Sequence, residues 1–382
     1  MEKTVKKTSA RSMPYRRIVV KVGTTLLTDS NDHLNREMMT GLVSQIAQLH
    51  GQGRQILLVS SGAIASGMDK LGLSRKRKGI PFKQVLASVG QARLMNIYEQ
   101  LFSRHNITVA QALLTKTDLA DRAGYLNARN TLLALLELGV VGIVNENDVI
   151  AVDELREAKF GDNDNLSAMV ANLVDADLLI ILTDIDGLYS ADPGHDPEAR
   201  LIKEVTRIDK KIERLATDTT SQFSTGGMIT KIEAAKLATA SGVTMVIANG
   251  REQDVILRLA SGEAIGTRFP PAKSNLESRE RWLLCGLGTR GKLTVDTGAA
   301  LALSKQHRSL LAAGIQAAEG KFKRGDIVDI YDPEGVRLGC GISNYNAAEV
   351  NTIKGASSRS IPALVEFNYG PEVVHRNNLT VF

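Results

Sequence analysis

The 382-residue sequence is poor in the residues that mark several large protein classes. It has two cysteines, Cys285 and Cys340, and no Cys-x-x-Cys. That excludes a disulfide scaffold or a thiolate metal centre; two small core thiols in a reducing compartment are expected. Its six histidines are scattered and form no His-Glu-x-x-His, so a zinc-hydrolase helix is absent. The longest apolar runs, such as Leu178–Leu182 and Val140–Val144, are far too short to span a bilayer but long enough for buried strands. The first residues lack the apolar stretch of a secretory signal, which leaves a cytoplasmic location as the expectation and gives the sequon at Asn165-Leu166-Ser167 little meaning. No Walker A loop and no dinucleotide fingerprint occurs.

What is present begins with charge. The net charge is +5, and it lies in the first seventeen residues, where Lys3, Lys6, Lys7, Arg11, Arg16 and Arg17 oppose only Glu2. The remainder is balanced. A pronounced basic face, the footprint of a nucleic-acid binder, is missing, and the short tail reads as solvated and disordered.

The chain alternates β-rich runs with helical periodicity up to about residue 270. Strands fit Arg17–Val22, Gln55–Val59, Val141–Val144, Leu178–Leu182 and Thr244–Ala248. Helices fit 36–50, with Asn35 as N-cap, and also 82–104, 127–138, 166–174 and 229–241. This order predicts an α/β fold with a largely parallel central sheet sandwiched by helices. Past Phe269-Pro270-Pro271 the rhythm changes to short strand candidates separated by Gly and Asp turns: Lys292–Val295, Ile327–Tyr331, Val336–Ile342 and Ala363–Phe367. They predict a small all-β module. The expected division is a disordered basic tail at 1–16, an α/β domain at 17–272, a linker at 273–288, the β module at 289–367 and a C-terminal tail at 368–382.

Polar residues collect where the strands end. Lys21-Val22-Gly23-Thr24 puts a cation and a tight turn at the end of the first strand, where backbone N–H groups can meet phosphate oxygens. Ser61-Gly62-Ala63 repeats the device after the second. In open α/β sheets ligands bind at these carboxyl ends. Asn145-Glu146-Asn147-Asp148 follows the strand at 141–144. Gly161-Asp162-Asn163-Asp164-Asn165 reads as a polar turn ahead of a helix at Leu166, with more polar residues than capping requires. Thr183-Asp184 closes the most apolar strand. Thr225-Gly226-Gly227-Met228-Ile229-Thr230-Lys231 opens a helix with a glycine pair and brings a lysine one turn in.

In this order and spacing the segments closely resemble the amino acid kinase family, in the branch that phosphorylates glutamate, and Gly291–Tyr345 resembles a PUA domain. The resemblance covers nearly the whole chain; Ser224 departs from it, standing where the family has glycine. It implies the amino acid kinase fold followed by a PUA domain, with ATP as phosphoryl donor, Mg²⁺ as cofactor and the γ-carboxylate of glutamate as acceptor. The product would be glutamyl 5-phosphate, at the start of proline synthesis, with feedback inhibition by proline and a homo-oligomeric assembly. Carried over by residue, it implies that Lys21 and Lys231 stabilise the migrating phosphoryl group and that Asp164 holds both lysines. Ser61, Asp148 and Asn163 would bind glutamate, with Asn145 close by. Lys21, Gly23, Thr183, Asp184, Thr225, Gly226, Gly227, Met228, Ile229, Thr230 and Lys231 would bind ATP.

That chemistry suits the residues. A glutamate side chain, with an ordinary pKa of about 4.3, is already ionised at neutral pH and needs no general base, which accounts for the lack of a motif histidine. An α-ammonium group calls for an anion such as Asp148, which disfavours an N-acetylated substrate. The same fold could act on aspartate, uridylate or carbamate, and a PUA domain could contact RNA, although its weak charge and modest aromatic content give that second reading little support.

Overall fold

The structure, a computed structural model, describes residues 14–29, 33–73, 79–151, 163–218, 227–271, 289–306 and 308–381. The expected tail at 1–16 lies almost wholly outside these residues, and the expected linker at 273–288, with Cys285, lies wholly outside them. The chain divides into two compact units: residues 1–115 with 131–272, and residues 116–130 with 273–382. Among the described residues no helix is long and apolar enough to cross a membrane.

The first unit is built on seven strands: β1 (Arg17–Val22), β2 (Gln55–Ser60), β3 (Val109–Leu114), β4 (Val141–Glu146), β5 (Leu178–Thr183), β6 (Thr244–Asn249) and β7 (Thr267–Phe269). Their order is β3-β4-β2-β1-β5-β6-β7, parallel except for β7, which runs antiparallel to β6. Central strands are mostly apolar because helices cover both faces, with polar residues near their carboxyl ends; every residue of β4 and β5 is buried. The core on one side joins Val20, Val22 and Ile180 to Tyr98 and Phe102 from the helix Ile80–Ser103.

β1 occupies the middle of the sheet. The chain leaves it first toward β2, β3 and β4, then crosses to its other side for β5 and β6. This reversal creates a crevice at the carboxyl ends of β2, β1 and β5, the topological switch point where α/β proteins hold ligands. The register sets Lys21 beside Val59 and Ile181, so the three strand ends lie level.

Two helices beside that crevice touch through glycine. The helix Ala63–Leu71 carries Gly67, and Ile80–Ser103 carries Gly90. A Cβ on Gly90 would overlap the carbonyl oxygen of Ala63 and the amide of Gly67, and one on Gly67 would overlap the carbonyl of Leu86. Glycine inside a helix normally costs about 1 kcal/mol relative to alanine. Here the missing methyl lets the backbones meet, which brings the long helix onto the Ser61–Ala63 turn.

In the second unit a five-stranded sheet pairs Gly291–Val295 with Ile315–Gly320 and Ile327–Tyr331, then continues through Arg337–Ile342 to Leu379–Val381. Its core includes Leu293, Val328, Ile330 and Tyr345. Short helices at Thr297–Gln306 and Ala347–Ile353 accompany the strands. The strand expected at Ala363–Phe367 does not form. Pro362 sits in the first turn of a helix, Ile361–Leu364, where its fixed φ suits helix initiation and its missing N–H costs nothing. Residues 116–130 belong to this unit as well: Leu126 is buried with Ile327, Cys340 and Ile342, Arg122 pairs with Asp326, and Arg129 donates to Asn378 Oδ1 at 2.6 Å.

Candidate active site

At the crevice the sequence collects buried charge. Lys21, on β1, places Nζ 2.6 Å from Asp164 Oδ1, and Lys231 places its own 3.3 Å from Oδ2. Thr230 donates to the same Oδ2 at 2.8 Å. The three charged side chains are 7%, 2% and 8% exposed for Lys21, Asp164 and Lys231, so the group is two cations and one anion removed from water. Burial alone would push the Asp164 carboxyl up; the fields of Lys21 and Lys231, with hydrogen bonds from Lys21 and Thr230, instead hold it down to about 2. For Lys231 burial dominates and lowers its pKa, aided by Lys21 and opposed by Asp164. Among these three side chains cations outnumber anions by one, a balance that favours an entering anion.

The Asp-Asn run differs from the turn expected for it. The helix begins at Asn163, not Leu166, so Asn163, Asp164 and Asn165 form its buried first turn. The carboxylate gains from the amino end of the helix dipole, and both lysines reach it there.

A second, neutral cluster adjoins. Asn163 Nδ2 donates to Ser61 Oγ at 2.9 Å and to Asn145 Oδ1 at 3.1 Å. Asn145 Oδ1 also accepts from the backbone N–H of Glu146 at 2.9 Å, and its Nδ2 donates to Gln91 Oε1 at 2.9 Å. Ser61 itself is pinned by its N–H to Val22 O. Asp148 lies in the turn after β4, where Ile150 N and Ala151 N close onto Asn147 O.

Across β5, Thr183 Oγ1 donates to Asp184 Oδ1 at 3.1 Å, and Asp184 adds to the field that keeps Lys231 charged. Gly227 is the N-cap of the helix Met228–Ala240 and makes no side-chain cap bond, and a helix start of this kind is a favourable place for an anion. Gly23, at the β1 turn, lies close to Lys21 Nζ: a Cβ there would sit 3.5 Å from it. Thr225 and Gly226 fall outside the described residues. Of the expected site residues, Lys21, Asp164 and Lys231 come together in one cluster, and Ser61, Asn145 and Asn163 in the other. Gln91, which the sequence motifs do not single out, joins the neutral cluster through Asn145. Its one signal is the glycine before it, whose missing Cβ lets the helix meet Ala63.

Fold and site together are those of an α/β phosphotransferase. The amino acid kinase family matches residues 16–249, and the PUA domain matches residues 291–365. This chain belongs to the amino acid kinase family. It is 58% identical over 367 residues to a glutamate 5-kinase of Dehalococcoides mccartyi (strain CBDB1), covering 96% of this chain and 98% of that protein. The glutamate 5-kinase of Herpetosiphon aurantiacus is 52% identical over 368 residues, with 96% and 99% covered. That of Moorella thermoacetica is 48% identical over 366 residues, with 96% of each covered.

Proposed function

We propose that this chain transfers the γ-phosphoryl group of ATP to the side-chain carboxylate of glutamate, forming glutamyl 5-phosphate and opening proline synthesis. The observation that carries the reading is the buried Lys21–Asp164–Lys231 cluster, with its surplus positive charge at the switch point of the sheet. The near full-length similarity to glutamate 5-kinases supports the choice of acceptor.

In this reading the two ammonium groups face the equatorial oxygens of the migrating phosphoryl group, where charge spreads in a loose transition state. Asp164 fixes their positions and keeps Lys231 protonated. The turn at Gly23 and the helix start at Gly227–Lys231, with Thr225 and Gly226 before it, take phosphate oxygens, while Thr183 and Asp184 hold the nucleotide. Ser61, Asn145, Asp148 and Asn163 hold the amino acid, Asp148 facing its ammonium group. Asp164 faces the two lysines and Thr230, neighbours that disfavour a further cation there. That donor set fits Mg²⁺ carried by the ATP phosphates and water, where it neutralises the β- and γ-oxygens. Proline, with the same α-substituents and no acceptor carboxylate, is the expected competitor for the amino acid site.

The test is direct. With ATP, Mg²⁺, glutamate and hydroxylamine, the purified protein should form γ-glutamyl hydroxamate at a rate that saturates in glutamate. With ADP release as the common readout, aspartate, carbamate and uridylate should give at least about 100-fold lower kcat/KM, since a site with fixed polar partners rejects a misplaced group strongly. Preference for any of these three would overturn the assignment of glutamate.

A further inference from the structure

The carboxamide cluster ends in two unmatched groups. Gln91 Nε2 and Asn163 Oδ1 are both buried without a hydrogen-bond partner among the described residues. Their polarity is dictated by one backbone group. The N–H of Glu146 requires the oxygen of Asn145, so Asn145 must offer its NH₂ to Gln91 and accept from Asn163. Gln91 therefore spends its oxygen and keeps a free donor; Asn163 spends its NH₂ and keeps a free acceptor. Turning any one amide over would set like groups against each other. A buried donor or acceptor left alone is costly, so each end calls for a ligand atom of opposite kind.

Direction follows from connectivity. Asn163 adjoins Asp164 and its lysines. Asn145 comes next, and Gln91 is the member furthest along the chain of bonds from the cationic cluster. If the γ-carboxylate of an amino acid lies at the lysines, its α-substituents lie toward Asn163 and Gln91. The free acceptor matches an ammonium group, and the free donor matches a carboxylate. Gln91 is held beside the Ser61 turn by the glycine contact of Gly90 with Ala63.

We propose that Gln91 is a specificity-determining residue that donates from Nε2 to the α-carboxylate of the substrate, with Asn163 Oδ1 sharing the α-ammonium group with Asp148. The inference rests on the reading of glutamate as acceptor. Gln91→Glu is the informative substitution: it is isosteric and still accepts from Asn145, so a purely structural role would survive it, yet it replaces the donor with an acceptor. The experiment compares kcat/KM for glutamate and for isoglutamine, whose α-carboxylate is an amide, in wild type and variant, together with KM for ATP. The expected result is a fall of about 100-fold in the glutamate-to-isoglutamine ratio, with KM for ATP within about twofold. Gln91→Met removes the donor without adding charge, and should lower the ratio about tenfold; it stands in if the carboxylate disrupts folding in a thermal melt. An unchanged ratio in the folded variant overturns the proposal. Wild-type protein that fails to phosphorylate glutamate brings down the underlying reading first, and this inference with it.

Discussion

Lys21→Met should lower kcat about 1,000-fold while KM for ATP and for glutamate stay within about fivefold. Methionine preserves the aliphatic stem that packs in the sheet and removes only the charged end. The lost ammonium group lies 2.6 Å from Asp164; in the proposed mechanism it stabilises charge that develops only as the phosphoryl group migrates. Removing one preorganised donor of that kind costs about 10²–10³ in kcat, and cationic groups on a transferring phosphoryl cost more. Lys21→Arg should not restore turnover, because a planar guanidinium is larger and presents its donors in a different geometry. Hydroxamate formation under saturating substrates measures both variants. A kcat within tenfold of wild type for Lys21→Met would contradict the assigned role.

Asp164→Asn should do two things at once. It leaves two buried ammonium groups beside a neutral amide, and breaking a buried ion pair from one side costs about 3–5 kcal/mol, read as a lower midpoint in denaturant. It also removes the influence that raises the pKa of Lys231 against its burial. That pKa falls further, so the alkaline limb of the kcat/KM profile moves to lower pH, and turnover at neutral pH drops by at least about 100-fold. The wild-type acid limb follows from the opposite sign. Asp164 is held at about 2, below its ordinary 3.8. Its contribution, about 2 kcal/mol, is complete above pH 4 and is lost as the pH falls through 2. The variant lacks that ionisation, so its stability should vary less with pH between 4 and 2. A pH–rate profile that keeps its alkaline limb in place would show that Asp164 does not hold Lys231 in its charged form.

How much of the fold and site is legible in the sequence depends on how local the cause is. Lys21, Ser61 and Thr183 can be found because a strand end followed by a turn has a short signature, and the apolar runs of β1, β4 and β5 reflect burial on both faces. The Asp-Asn run is visibly too polar for a cap, yet its residues read locally as a turn. Its helical, buried state depends on Lys21 and Lys231, which lie far away in the chain and supply the compensating charge. β3 is half-buried along its length at the sheet edge, so its residues carry neither a buried run nor a clean alternation. β7 has three residues, too few for a period. Gln91 lies within a long helix whose pattern gives no hint of function. Only the packing of Gly67 and Gly90 brings it to the Ser61 turn.

In the proposed mechanism two lysines, Lys21 and Lys231, meet one migrating phosphoryl group. The most direct measurement is a crystal structure of the protein with glutamate, MgADP and aluminium fluoride, a mimic of that group in transit. Both Nζ atoms, from Lys21 and Lys231, should lie about 3 Å from fluoride ligands, with the glutamate side chain in line on the opposite side from ADP. A mimic bound with either lysine turned away, or bound outside the β1–β5 crevice, would contradict the central claim.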